Sequence, residues 1–177
     1  MKLLIAGVIL ILFVPVVAAG AVVDALTVGA PTPVVAGDVD ALGAQVLSSQ
    51  HIRLTANARK DVEDARVDGR LLGVLLLLAA KHDLGSVGPF VSGHSYFVKG
   101  TMRVSNHVRG RAVDISVVDG AAVSPRNTGA LEAARAVLSL PAPLRPDEVG
   151  SPWSLPAPGA FSDVMHQNHI HLGWGGK

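Results

Sequence analysis

Four residues in two short runs carry the chemistry of this chain. His107 and Asp114 lie in SNHVRGRAVDI, and His169 and His171 lie in HQNHIHLGW close to the C-terminus. Two imidazoles and one carboxylate form the ligand set with which hydrolytic zinc sites hold their ion while a fourth position stays open for water. The 177 residues include no cysteine, so no thiolate site competes for a metal. Neither run is decisive by itself, because a surface strand can carry two histidines at i and i+2 without using them. Their combination on two strand-like segments points to a metal centre.

The elements that must position these side chains are readable from the alternation of residue types. Residues 112–118 place Val113, Ile115 and Val117 on one face and Ala112, Asp114 and Ser116 on the other, as a strand should. His169 and His171 repeat the arrangement, with Ile170 and Leu172 on the opposite side. Both histidines are therefore expected to face one site. Between His107 and Asp114, Gly110 supplies the backbone freedom for the chain to curl back.

The pattern SxHxxGxAxD followed by a C-terminal HxH resembles the zinc peptidase superfamily of lysostaphin-type enzymes, D-alanyl-D-alanine carboxypeptidases and the hedgehog domain. The matching residues are Ser105, His107, Gly110, Ala112 and Asp114, then His169 and His171. His166 also matches a histidine of the penicillin-insensitive murein endopeptidase branch, and the similar stretch covers residues 87–174. The resemblance implies a Zn²⁺ ion held by His107, Asp114 and His171, with His169 and His166 as catalytic residues. It further implies hydrolysis of peptide bonds in bacterial cell-wall peptidoglycan, peptidoglycan peptides being the partner. Such an ion lowers the pKa of water from about 15.7 to near 7, and an imidazole then takes the proton or steadies the oxyanion.

The chain departs from that pattern at two places. Many relatives have an acidic residue three positions before the last ligand, where this chain has Asn168, and an amide cannot accept a proton from water. Carboxypeptidase-type relatives also carry an arginine in an SGYR-like turn, where this chain reads Ser92, Gly93, His94 and Ser95. Arg103, Lys99 or His94 are the candidates to replace it. Ser105, His94, Arg103 and Trp153 are taken as substrate-binding, and Arg145 and Glu148 are further candidates to line a groove. The competing reading is a non-catalytic, zinc-containing wall-binding module, as the hedgehog branch shows is possible for this site.

Composition bounds the setting. The formal net charge is +1, which gives no electrostatic case for nucleic-acid binding. The absence of cysteine removes a lipoprotein anchor and a disulfide framework. Lys2 is followed by uncharged residues through position 23, so 1–23 reads as a signal peptide or an N-terminal membrane anchor. Either places the remainder outside the cytoplasm, secreted or anchored to the cytoplasmic membrane. Residues 24–37 form a Pro/Gly linker, and 38–177 the zinc peptidase-like domain.

Within that domain, helices are expected over 38–49, from Thr55 to 67, over 69–81 and from Asn127 or Thr128 to 138. The third contains LLGVLLLLAA, apolar nearly all round, and must be buried. A strand is expected over 87–91, and Asp119-Gly120 marks a hairpin returning through 121–123. Residues 141–159 carry six prolines and cannot be regular for long. The fold class is α+β, N-terminal helices packed on a small, mostly antiparallel sheet that carries the metal site.

Overall fold

The computed structural model describes residues 38–175. The leader or anchor at 1–23 and the linker at 24–37 lie outside the described residues. Among the described residues no helix is long and apolar enough to cross a membrane.

Capping side chains set the helix starts. Asp38 caps α1 (Val39–Ser48), Thr55 caps α2 (Ala56–Glu63), Asp68 caps α3 (Gly69–Ala79) and Asn127 caps α4 (Thr128–Leu138). In each case the side-chain oxygen accepts a backbone N–H that the first turn leaves without a helical partner. The second helix ends at Glu63, four residues before the expected limit, because Ala65 turns into the left-handed region at φ 53°. Helix α3 buries Leu71, Leu72, Val74, Leu75 and Leu78, and each such side chain contributes about 1.5–3 kcal/mol relative to exposure.

Among the described residues seven strands form one sheet: β1 (Ile52–Leu54), β2 (Leu84–Val87), β3 (Ala112–Val118), β4 (Ala121–Ala122), β5 (Glu148–Gly150), β6 (Ala160–Phe161) and β7 (Ile170–Gly173). The spatial order is β1-β2-β3-β7-β5-β6, with β4 folded back on β3. The class is α+β as expected, but the sheet is mixed rather than mostly antiparallel. The outer pairs β1–β2 and β5–β6 are parallel, and the pairs between them are antiparallel. The outer strands β1 and β6 are only three and two residues long, too short for their residue pattern to tell parallel from antiparallel pairing.

The strand expected over 87–91 lies at Leu84–Val87 instead. Gly88 turns at φ 125° and Pro89 has no N–H to extend a ladder, so pairing stops there. Residues 89–92 then serve other partners. The carbonyls of Pro89 and Phe90 face His107, and the N–H groups of Val91 and Ser92 donate to Asp61. Asp61, on α2, is fully buried, and its carboxylate also accepts from Ser92 Oγ and Arg66.

Strand β3 occupies the span its alternation predicts. Val113 and Ile115 are buried, but at the far end Val118 is buried and Val117 only half-buried. Trp174, just after β7, is also buried and donates its indole N–H to the Leu144 carbonyl, which pins the end of that strand.

Candidate metal centre

The β3–β7 register decides the site. It sets Asp114 directly opposite His171, so both side chains rise from the same face of the sheet. His171 Nδ1 lies 2.9 Å from Asp114 Oδ1. His107 arrives from a 3-10 turn, His107–Arg109, closed by Gly110 in the left-handed region at φ 66°. A Cβ at Gly110 would run into the Arg66 carbonyl, so glycine is required by contact as well as by conformation. The turn brings His107 Nε2 to 3.3 Å from His171 Nδ1 and 3.5 Å from Asp114 Oδ1. Two nitrogens and one oxygen thus converge from three places in the chain.

The chemistry of this donor set suits a cation. His107 Nδ1 sits 3.1 Å from the carbonyl oxygens of both Pro89 and Phe90. Carbonyls only accept, so Nδ1 carries the proton and Nε2 keeps its lone pair toward Asp114. Burial works against ionisation of Asp114, but the His107 and His171 imidazoles beside it outweigh that and hold its carboxyl far below the ordinary range. Burial likewise disfavours a charged His171, yet Asp114 and Glu148 push it up to about 9. Asp114 and Glu148, on either side of His171, make the pocket attractive to a cation.

His94 adds a further donor. Its ring stacks on His107 with centroids 3.9 Å apart, and His94, His107 and Asp114 offer ligand atoms within 4.8 Å of one another. Its Nδ1 donates to the Ser95 carbonyl at 2.9 Å, which leaves Nε2 bare. Ser105, buried beneath it, accepts the His107 N–H at 3.3 Å and lies 3.4 Å from His94 Nδ1. A metal ion can therefore be held by a His-His-Asp group here.

The other histidines flank this cluster in a groove of about 510 Å³. His169 lies just before β7 rather than within it, and its Nε2 is 3.7 Å from Asp114 Oδ1. Its Nδ1 is 2.9 Å from Asn168 Oδ1, so the amide that cannot act as a base instead orients an imidazole. Burial holds both His169 and His94 below the ordinary imidazole value. His166 pairs through Nδ1 with Asp163 at 2.7 Å, and its ring is 5.0 Å from that of His169.

Arg103 also lines the groove, but its guanidinium is paired with Glu148 at 2.5 Å. Lys99 lies on the rim, its ammonium 4.0 Å from Met165 Sδ. Trp153 is not brought to the site. It packs on the core and its indole N–H reaches the Pro125 carbonyl at 3.4 Å. Asn106 and Asp163 escaped the sequence reading, since a lone amide or acid in a polar loop carries no pattern. Glu148 was only one of several candidates there.

No family model matches the chain, and no curated protein or solved structure matches it.

Proposed function

We propose that the protein is a zinc-dependent peptidase acting on peptide bonds of bacterial cell-wall peptidoglycan. One observation carries this reading: His107 Nε2, Asp114 Oδ1 and His171 Nδ1 converge within 3.5 Å of one another in an open groove, beside a half-buried His169. His107, Asp114 and His171 are the residues to hold the ion, and zinc is the metal that two histidines and a carboxylate with an open fourth position hold in hydrolytic sites. Bound there, zinc supplies a Lewis acid that makes water a nucleophile at neutral pH. His169, with Nδ1–H held by Asn168 and Nε2 bare, is arranged to accept a proton, and His166 stands behind it with Asp163. The sequence resemblance supports the substrate class, and the apolar segment at 3–23 supports a location outside the cytoplasm, beside the wall.

His94 favours a second reading. If its bare nitrogen completes a fourth ligand, the site closes, and closed four-ligand sites are structural. The protein is then a zinc-containing wall-binding module. Incubating the purified protein with peptidoglycan, with and without chelator, separates the two. Chelator-sensitive release of peptide fragments, identified by mass, is the expected result. Retention on sacculi with zinc bound and no fragment released would replace the peptidase with the binding module.

A further inference from the structure

One carboxylate faces the metal centre from the side away from Asp114. Glu148 begins β5, and the β5–β7 register sets it opposite Gly173 while setting Gly150 opposite His171. Directly opposed residues share a face of the sheet, so a glycine in each pair leaves space for the other side chain to lean across. Glu148 uses that space: its Oε2 lies 3.7 Å from His171 Nε2. A Cβ on Gly173 would sit 3.0 Å from that oxygen and 3.1 Å from that nitrogen, tight against both. At Gly150 a Cβ would come within 2.6 Å of the His166 ring, so the second glycine keeps the neighbouring position clear for a groove histidine.

The carboxylate is itself held on both oxygens. Arg103 donates to Oε1 at 2.5 Å and the Asn106 amide to Oε2 at 3.2 Å. Asn106 immediately precedes His107, so this carboxylate is tied to the segment that delivers another ligand.

An imidazole presents a lone pair to a metal from one nitrogen only when the proton stays on the other. His171 turns Nδ1 toward Asp114 and His107, so with a metal ion bound between them the proton must sit on Nε2. We infer that Glu148 is a positioning residue that keeps this proton on His171 Nε2 and so presents Nδ1 to the metal ion, with Arg103 and Asn106 holding the carboxylate in place. The inference rests on the reading of His107, Asp114 and His171 as ligands. It also assigns Arg103 to the support of the metal site rather than to substrate. Carboxylates placed behind ligating histidines fix ring orientation and raise ligand basicity.

The test measures zinc affinity of the full-length protein by competition with a chromophoric chelator. Glu148→Ala is expected to weaken zinc binding about 10–100-fold, the usual effect of removing such a partner. Gly173→Ala, which crowds the gap with both groups still present, should weaken it in the same direction. In zinc-loaded wild type the His171 Nε2–H proton should be visible by NMR, and Glu148→Ala should broaden or remove it. Affinity within about twofold of wild type for Glu148→Ala, with that proton unchanged, would overturn the role of Glu148. Should Glu148→Ala fail to fold, Gly173→Ala and Arg103→Met carry the test, and unchanged affinity in both has the same consequence. Wild type that takes up no zinc would overturn the ligand reading and this inference with it, which distinguishes the two failures.

Discussion

Each histidine of the groove is distinguished by what its second nitrogen touches. His107 gives Nδ1–H to backbone carbonyls, and His171 turns Nε2 to Glu148. His169 gives Nδ1–H to an amide, and His166 turns Nδ1 to Asp163. Backbone carbonyls and a fixed carboxylate suit metal ligands, since they lock one tautomer. A neutral amide beside His169 leaves the ring free to change protonation. Replacing His107, Asp114 or His171 by alanine should therefore abolish stoichiometric zinc, read by metal analysis of the purified protein. Full occupancy in Asp114→Ala would remove that residue from the ligand set. His169→Ala should keep its zinc and lose at least about 100-fold in peptidoglycan hydrolysis, the lower range of general acid–base catalysis. Near wild-type turnover in that variant would dismiss the proposed role of His169.

At the scale of elements, the segment 89–92 links helix packing to the metal site. Its carbonyls orient His107 on one side, and its N–H groups are anchored by buried Asp61 on the other. Burial disfavours the Asp61 charge, but hydrogen bonds from Ser92 and Val91, together with Arg66, more than offset it and lower its pKa. A carboxylate whose folded pKa is depressed contributes stability that is present above its unfolded value of about 3.9 and lost as pH falls through the folded one. Asp61→Asn should therefore destabilise the protein at neutral pH by about 2–3 kcal/mol, the range for charged hydrogen bonds left incomplete. It should also flatten the acid limb of stability below about pH 4. Urea unfolding at pH 7 and at pH 3 checks both, and an undiminished acid limb in the variant would assign that limb to other carboxylates. The turn at Gly110 is a second such link. Gly110→Ala must both hold φ 66° and clear the Arg66 carbonyl, so a loss of at least about 1–2 kcal/mol is expected in the same measurement.

At the scale of the whole molecule, the core and the metal site are separable. The apolar cluster gathers hydrophobic side chains from all four helices and the sheet, and none of the proposed metal ligands is among them. Chelator-treated protein should therefore stay folded but melt lower. A ligand bound only by the folded state adds about 2.7 kcal/mol at a free concentration 100 times its Kd. Thermal melts with and without chelator measure this, and unfolding on metal removal would show that the site, not the core, holds the domain together.

The sequence alone determined those parts of the molecule whose residue patterns are periodic or locally capped. Strand β3 follows from the alternation around Asp114, helix α4 from Asn127, and burial of α3 from an apolar run with no polar face. Those signals are local, because side-chain direction along one element follows its own period. The tertiary structure alone decided which residues meet. Asp114 faces His171 because of a register between strands 57 positions apart, and Glu148 reaches the same ring because Gly173 stands opposite it. The parallel outer strands, the displacement of β2 by Gly88 and Pro89, and the removal of Trp153 from the groove belong to the same class. A side chain's partner across a sheet depends on pairing and on the room left by its neighbours, and neither is written in the spacing of a single segment.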